Sequence, residues 1–388
     1  MSSATESQAV IAEPRAKKGQ TQDEAFYRAG QWKLVWWKFR RHKLAQLAMV
    51  TLTIFYIIAL FAEVVSPFDP QHRMKEYAAM RPTKIHLIDS TGRLRMPFVY
   101  GVERTRDPVT LRPVYTENVE EIHPLRFFAR GDPYKLWGLI SWDRHLFSVE
   151  QQGEQITPFF LLGTDSLGRD MLSRIFHGSR ISLTVGLIGV ALSFIFGLLL
   201  GGIAGFFGGV TDEIIMRIID VLISLPQIPL WMSLAAALPQ DWPQLRTYFF
   251  VTIILSIFGW TSLARTIRGK MLSMREEDYV MAARLDGENE WSIITRYMLP
   301  GFASYIIVSL TISIPGMILG ETSLSFLGIG LRAPTISWGV MLQDAQNLQT
   351  VAQLPWLLWP CAFVVIAVLM FNFLGDGMRD AADPYVTG

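Results

Sequence analysis

At 388 residues, with 51% hydrophobic and 18% charged side chains, the chain is poorer in charge than ordinary soluble domains, in which about 25% of residues are charged. Its net charge of +1 hides an uneven distribution and gives no sign of a nucleic-acid partner, and the single cysteine, Cys361, excludes an internal disulfide. A membrane class follows.

Residues 1–43 read as a polar N-terminal tail, and the first thirty or so lack the short apolar core of a cleavable signal peptide. Six stretches then meet or approach the roughly 20 apolar residues that a helix needs to cross a bilayer. They run about Leu44–Val65, Ile181–Phe207, Ile214–Leu238, Tyr248–Ala264, Phe302–Leu324 and Leu354–Leu374. Backbone polar groups in lipid must be bonded internally, so helices are expected and the fold class is an all-α polytopic membrane protein with six transmembrane helices. Residues 66–180 form an extracytoplasmic insertion and an interfacial helix, the insertion a small mixed lobe of strands and turns rich in Pro, Arg, Asp and aromatics. Residues 181–375 form a five-helix core, and 376–388 a C-terminal tail.

Short-loop Lys and Arg set the orientation. Lys33, Lys38, Arg40, Arg41 and Lys43 precede the first span, and the loop 265–301 carries Arg265, Arg268, Lys270, Arg275, Arg284 and Arg296. The connections Pro239–Thr247 and Gly328–Val351 hold one basic residue each, Arg246 and Arg332. Both termini and the 265–301 loop are therefore expected in the cytoplasm, the long 66–180 connection being exempt from the charge rule.

Within the spans, Gly197, Gly201 and Gly205 recur every four residues, a spacing that admits another helix closely or simply makes a flexible apolar helix. Pro226 and Pro229 in the third span, and Pro315-Gly316 in the fifth, remove backbone donors and predict kinks or unwound turns. Glu213, Arg217 and Asp220 stand four and three apart, so one helix face can hold an ion-pair ladder at the cytoplasmic mouth. Glu321, deep in the fifth span, is expected either at a pathway or gate or as the cap of a broken helix. In Gly163-Thr-Asp-Ser-Leu-Gly-Arg-Asp170, Asp165 or Asp170 can cap a helix start, with Arg174 and Arg180 snorkelling to the headgroups.

The polar stretch Asp278–Pro300, between two apolar runs, has the order Ala282-Ala283, Gly287, Ile293-Ile294, Leu299-Pro300. Gly287 suits a bend, and Asp286, Glu288 and Glu290 offer charge to a partner. This order resembles the cytoplasmic loop by which bacterial ABC-importer permeases dock on their ATPases, except that Met281 stands where the family has glutamate. Ser66-Pro-Phe-Asp-Pro70, Gly163-Thr-Asp…Gly-Arg-Asp170, Arg217-Ile-Ile-Asp220, Phe326-Leu-Gly-Ile-Gly330, Trp338-Gly339 and Gly375-Asp-Gly-Met-Arg-Asp-Ala-Ala-Asp-Pro384 extend the resemblance along nearly the whole chain. Together they resemble the C-type permease subunits of dipeptide and oligopeptide importers.

That resemblance implies a six-helix permease of the bacterial inner membrane, coupled through Ala282, Ala283, Asp286, Gly287, Glu288, Leu299 and Pro300. It also implies a second homologous permease forming a heterodimer, one or two ABC ATPase subunits holding ATP and Mg, and an extracytoplasmic solute-binding protein. Peptides are the expected solute, with oligosaccharides or other small solutes as the alternative, since the connection from Pro70 to Gly163 exceeds the family's usual length. The chain has no P-loop and no zinc-spaced histidine pair, and no nucleophile or metal-ligand cluster accompanies the 163–170 motif, so neither cofactor nor metal is expected on it. Other classes remain: an intramembrane enzyme using Glu321 with Asp165 and Asp170, or a receptor or scaffold.

Overall fold

In the computed structural model, which describes residues 31–108, 113–149, 157 and 159–382, the apolar runs are helices. The expectations for residues 1–30 and 383–388 lie outside the described residues. Helix α1 (Gln31–Phe39) occupies the last part of the region expected as a loose tail. It turns into α2 (Lys43–Leu60) at His42, whose ring nitrogen accepts from Ala45 N–H at 3.1 Å. Phe39 and Ala45 pack with Ala381, near the last described residue, so the N-terminal and C-terminal helices meet at one end of the bundle.

After α3 (Ala62–Val65) the chain builds the lobe expected from 66 onward. Four strands, β1 (His86–Ile88), β2 (Leu94–Arg106), β3 (Pro113–Leu136) and β4 (Ile140–Val149), form an antiparallel meander in chain order. Register shifts between Tyr100 and Gly101, and between Arg130 and Tyr134, mark irregularities that bend the long strands. Phe68, Met74, Met80, Val99, Phe159 and Phe160 fill the core beneath.

Helix α4 (Met171–Phe207) has 37 residues and is ~55 Å long at 1.5 Å per residue. The interfacial helix expected ahead of Ile181 and the second span are thus one helix, capped by Asp170, because nothing between Met171 and Ile181 breaks the helical backbone. The third span is broken as Pro226 suggested: α5 (Gly209–Ser224) and α6 (Gln227–Ala236) meet at 87°. Pro315 breaks nothing. Helix α10 (Ala303–Phe326) runs through it, with Ile314 and Ile318 seated on Gly186 of α4. Before it come α7 (Gln244–Met274), α8 (Asp278–Leu285) and the single turn α9 (Glu290–Ser292); after it, α11 (Trp338–Gln343), α12 (Leu348–Gln353) and α13 (Trp359–Ala382). Among the described residues, five helical runs are long and apolar enough to cross a membrane, and the bent pair α5–α6 makes a sixth.

The glycine row of α4 faces α7. A Cβ on Gly197 would stand 3.0 Å from Leu263, one on Gly201 2.5 Å from the Ala264 carbonyl oxygen, and one on Gly205 2.6 Å from Met271 Cβ. At Gly201 the obstacle is backbone, which cannot swing aside as a flexible side chain can. Gly201→Ala is therefore expected to push α4 from α7 and to destabilise the fold by about 1–3 kcal/mol, whereas Gly202→Ala, whose Cβ would have nothing within 4 Å, should be tolerated. Thermal unfolding of the detergent-solubilised chain distinguishes the two.

Candidate functional site

The segment after α7 is an elbow with a dry inner side. Val280 and Ala283 of α8 are buried with Phe206, Met271, Ile293, Ile294, Met298 and Phe302, which joins the elbow to the ends of α4 and α7. Leu299 packs on the rim of this cluster, and Pro300 is exposed. The alanine pair is divided: Ala283 faces in, Ala282 out. At the C-terminus of α8, Gly287 N–H donates to Arg284 C=O and Glu288 N–H to Ala283 C=O, both at 3.1 Å, and Gly287 has φ +81°. These paired bonds stop a helix with a left-handed residue, a conformation glycine adopts without a Cβ penalty. Asn289 restarts the chain by accepting from Ser292 N–H at 2.6 Å.

The outer side of the elbow is unusually apolar for a polar loop. Leu285 is 87% exposed and Trp291 62%, with Tyr279, Met281 and Ala282 beside Asp286 on the same outward surface. Leu285 and Trp291 were not singled out from sequence, although large apolar residues flanking Asp286–Glu290 in a water-facing bend are the signal that would have found them.

Acidic residues of α5 pair mainly across to α7. Glu213 lies 4.0 Å from Arg217, both exposed, but Asp220 bonds Arg265, and Asp212, not singled out from sequence, bonds Arg268. The ladder expected along one face of α5 is therefore mostly a clamp between two helices.

Glu321 is wholly buried in α10. Its Oε1 accepts from Ser325 Oγ (2.9 Å) and Ser337 Oγ (2.8 Å), and its Oε2 from Ser182 Oγ of α4 (3.3 Å). Each of those hydroxyls in turn accepts a backbone N–H at 3.1 Å, from Leu331, Val340 and Trp338 respectively. α10 is continuous through this position, so the carboxyl ties α10, α4 and the start of α11 together.

At the opposite end of α4 from the elbow, the 163–170 motif forms a clasp. Asp165 accepts from Leu167 N–H and Arg169 N–H at 2.9 Å, from Arg169 Nε at 2.6 Å, and from the buried Arg174. Arg174 does not snorkel, because its partner is inside the protein. Arg180 reaches Glu63 at 2.8 Å and the Leu60 carbonyl at 3.1 Å, at the end of α2. Asp170 caps α4 through Ser173 N–H at 2.8 Å. Burial pushes its carboxyl up to about 6, with the Ser173 bonds acting against the shift. Burial likewise raises Asp344 nearby, opposed by Arg174.

Two families of sequence match the chain. The family described as "binding-protein-dependent transport system inner membrane component" matches residues 197–388, and the "N-terminal TM domain of oligopeptide transport permease C" matches residues 30–82. The dipeptide transport system permease protein of Bacillus subtilis is 40% identical over 224 residues, 57% of this chain and 68% of the relative. The oligopeptide transport system permease protein of the same organism is 38% identical over 223 residues, 57% of this chain and 70% of the relative. The glutathione transport system permease protein of Pectobacterium atrosepticum is 38% identical over 248 residues, 63% and 80%. The four strands of the lobe fall between the two family-matched stretches.

An acid whose pKa rises on folding stabilises the fold fully below its unfolded value, here near 3.8, and loses that contribution as pH climbs through its folded value, here about 6. The shift corresponds to on the order of 3 kcal/mol. Asp170→Asn, which keeps an acceptor for Ser173 N–H, is expected to flatten the fall in stability between about pH 4 and about pH 7, as read by thermal unfolding across that range.

Proposed function

The chain belongs to the inner-membrane permease family of binding-protein-dependent transport systems, as the permease component of a peptide ABC importer, and on that premise we propose how it couples ATP hydrolysis to movement of its solute. The elbow Asp278–Pro300 docks on an ABC ATPase, which holds the ATP and Mg; hydrolysis takes place on that partner and not on this chain. Met281, Leu285 and Trp291 enter the partner's groove, Asp286 and Glu288 face its charged rim, and Val280 and Ala283 transmit the load inward. The exposed apolar face of a bend rigidly fixed to α4 and α7 carries this reading.

A second homologous permease completes the path as a heterodimer, and an extracytoplasmic binding protein delivers the peptide. Both termini and the elbow lie in the cytoplasm, supported by the cluster of Lys and Arg in 265–301 and by the meeting of α1 with the end of α13 at the elbow's end of the bundle. The buried Glu321 serves the scaffold of the outer half, where its three serine donors leave it no face toward a passing solute. Transport then requires only tilting of packed helices about the α5–α6 bend and the elbow.

Leu285→Asp is expected to weaken ATPase association and to lower peptide uptake in proteoliposomes at least about tenfold, equivalent to about 1.4 kcal/mol, while leaving the fold intact because the side chain is 87% exposed. Gly287→Pro, which cannot adopt φ +81°, should leave the assembled complex hydrolysing ATP without uptake. Wild-type uptake with either variant would overturn the docking assignment.

A further inference from the structure

The β3–β4 hairpin ends in a tip that does not suit water. Trp137, Gly138, Leu139 and Ile140 are exposed in succession, Leu139 at 83%. Gly138 N–H donates to Lys135 C=O at 3.1 Å and Leu139 N–H to Leu136 C=O at 3.0 Å, and the two central residues, Trp137 and Gly138, have φ +50° and +75°. Hairpin turns with two positive φ values favour Asn-Gly, and a bulky side chain in that region costs roughly 1–2 kcal/mol. A tryptophan there needs a compensating contact.

Helix α2 supplies that contact. Trp137 Nε1 donates to the carbonyl of Leu60, the last residue of α2, at 2.8 Å, and its ring lies 5.7 Å from that of Phe61. The same carbonyl takes Arg180, so the outer end of the first span is closed by one aromatic and one basic residue. Leu44, Leu47, Val50, Ile54, Ile57 and Leu60 form an exposed row along α2 at spacings of three and four, the face a membrane span turns to lipid. Leu139 and Ile140 follow Trp137 in the chain and are likewise exposed, so the apolar tip is held at the end of this row through Trp137. Tyr134, Lys135 and Trp142 stand just behind the tip, the residue types that mark the level where hydrocarbon gives way to headgroups.

The geometry points to the bilayer as the occupant of this surface: the tip Trp137–Ile140 is a membrane anchor, seated in the outer interface next to the first span and tethering the β-lobe to the plane of the membrane. The inference rests on α2 crossing the bilayer and is independent of the solute and of the ATPase docking site.

The test uses the full chain with Cys361→Ser, spin-labelled at Leu139→Cys or, at the other end of β3, at Val114→Cys, in lipid nanodiscs whose two faces are open to solvent. Collision rates with oxygen, which concentrates in lipid, and with a water-soluble nickel chelate report the surroundings. The label at 139 is expected to collide severalfold more with oxygen than with the chelate, and the label at 114 to show the reverse. Chelate access at 139 equal to that at 114 would overturn the anchor by placing the tip in water. Shielding of 139 from both reagents would overturn it in favour of a protein cover, either the second permease or the binding protein.

Discussion

The half of this permease away from the elbow is organised around one buried carboxyl. Taking an ionisable group out of water is tolerated only when its oxygens are bonded, and Glu321 meets that condition with three serine hydroxyls and, among the described residues, no basic side chain as a hydrogen-bond partner. Each serine passes on a backbone N–H from a segment that would otherwise be irregular: Leu331 after α10, and Trp338 and Val340 at the start of α11. Loop geometry, the N-cap of α11 and the α4–α10 contact are therefore one network. A network of this kind is stiff because losing any member strands a buried partner. Trp338, fully buried with its Nε1 on the Ile175 carbonyl, seals the same junction from the side.

Helix α4 carries this stiffness from one end of the molecule to the other. Its first turn is held by Asp170 and, through Arg174, by Asp165; its middle bonds Glu321 through Ser182; its last turn packs Phe206 into the elbow. Between these points the glycine row presses backbone against α7. Movement imposed at the elbow therefore reaches the opposite half through a helix with few ways of absorbing it. The compliant place is the bend at Pro226, where α5 ends and, among the described residues, no buried ion pair or glycine contact crosses the break.

Features that depend on local spacing were legible in the sequence. The stop at Gly287 follows from what a single residue does to its own backbone, and the four-residue period of the glycine row is visible without knowing that α7 lies against it. Features that depend on what lies opposite were not. Pro315 and Pro226 are the same residue type in apolar runs, yet only one interrupts its helix, since Ile314 and Ile318 on either side of Pro315 are packed against Gly186. Arg174 and Arg180 look alike in sequence, but Asp165 lies within reach of the first and Glu63 and the end of α2 within reach of the second. Likewise Asp220 pairs with Arg265, 45 positions away, in preference to its neighbour Arg217. Ala282 and Ala283 were read as a pair, whereas the 3.6-residue period of α8 places adjacent residues about 100° apart and so turns them to different faces.

The lobe shows how a domain can be inserted without disturbing the machine beneath it. Its stem closes before the sheet begins: Ala79 N–H donates to Asp165 C=O at 2.8 Å, Thr83 N–H to Phe160 C=O at 2.8 Å, and Thr164 N–H to Met80 C=O at 3.0 Å. The Trp356 indole then donates to the Thr164 carbonyl at 2.8 Å, joining the stem to the segment leading into the last span. With both ends fixed to each other and to the helices, lengthening the connection adds only a slowly growing closure entropy, about 0.6 kcal/mol for each doubling. The 163–170 motif thus serves two purposes in one turn: it caps α4, and it makes the permease core indifferent to what is threaded between residues 80 and 160. A lobe attached only by its stem would be free to pivot, and the bonds from His145 of β4 to the Ser66 carbonyl and from Trp137 to Leu60 are further attachments that prevent it.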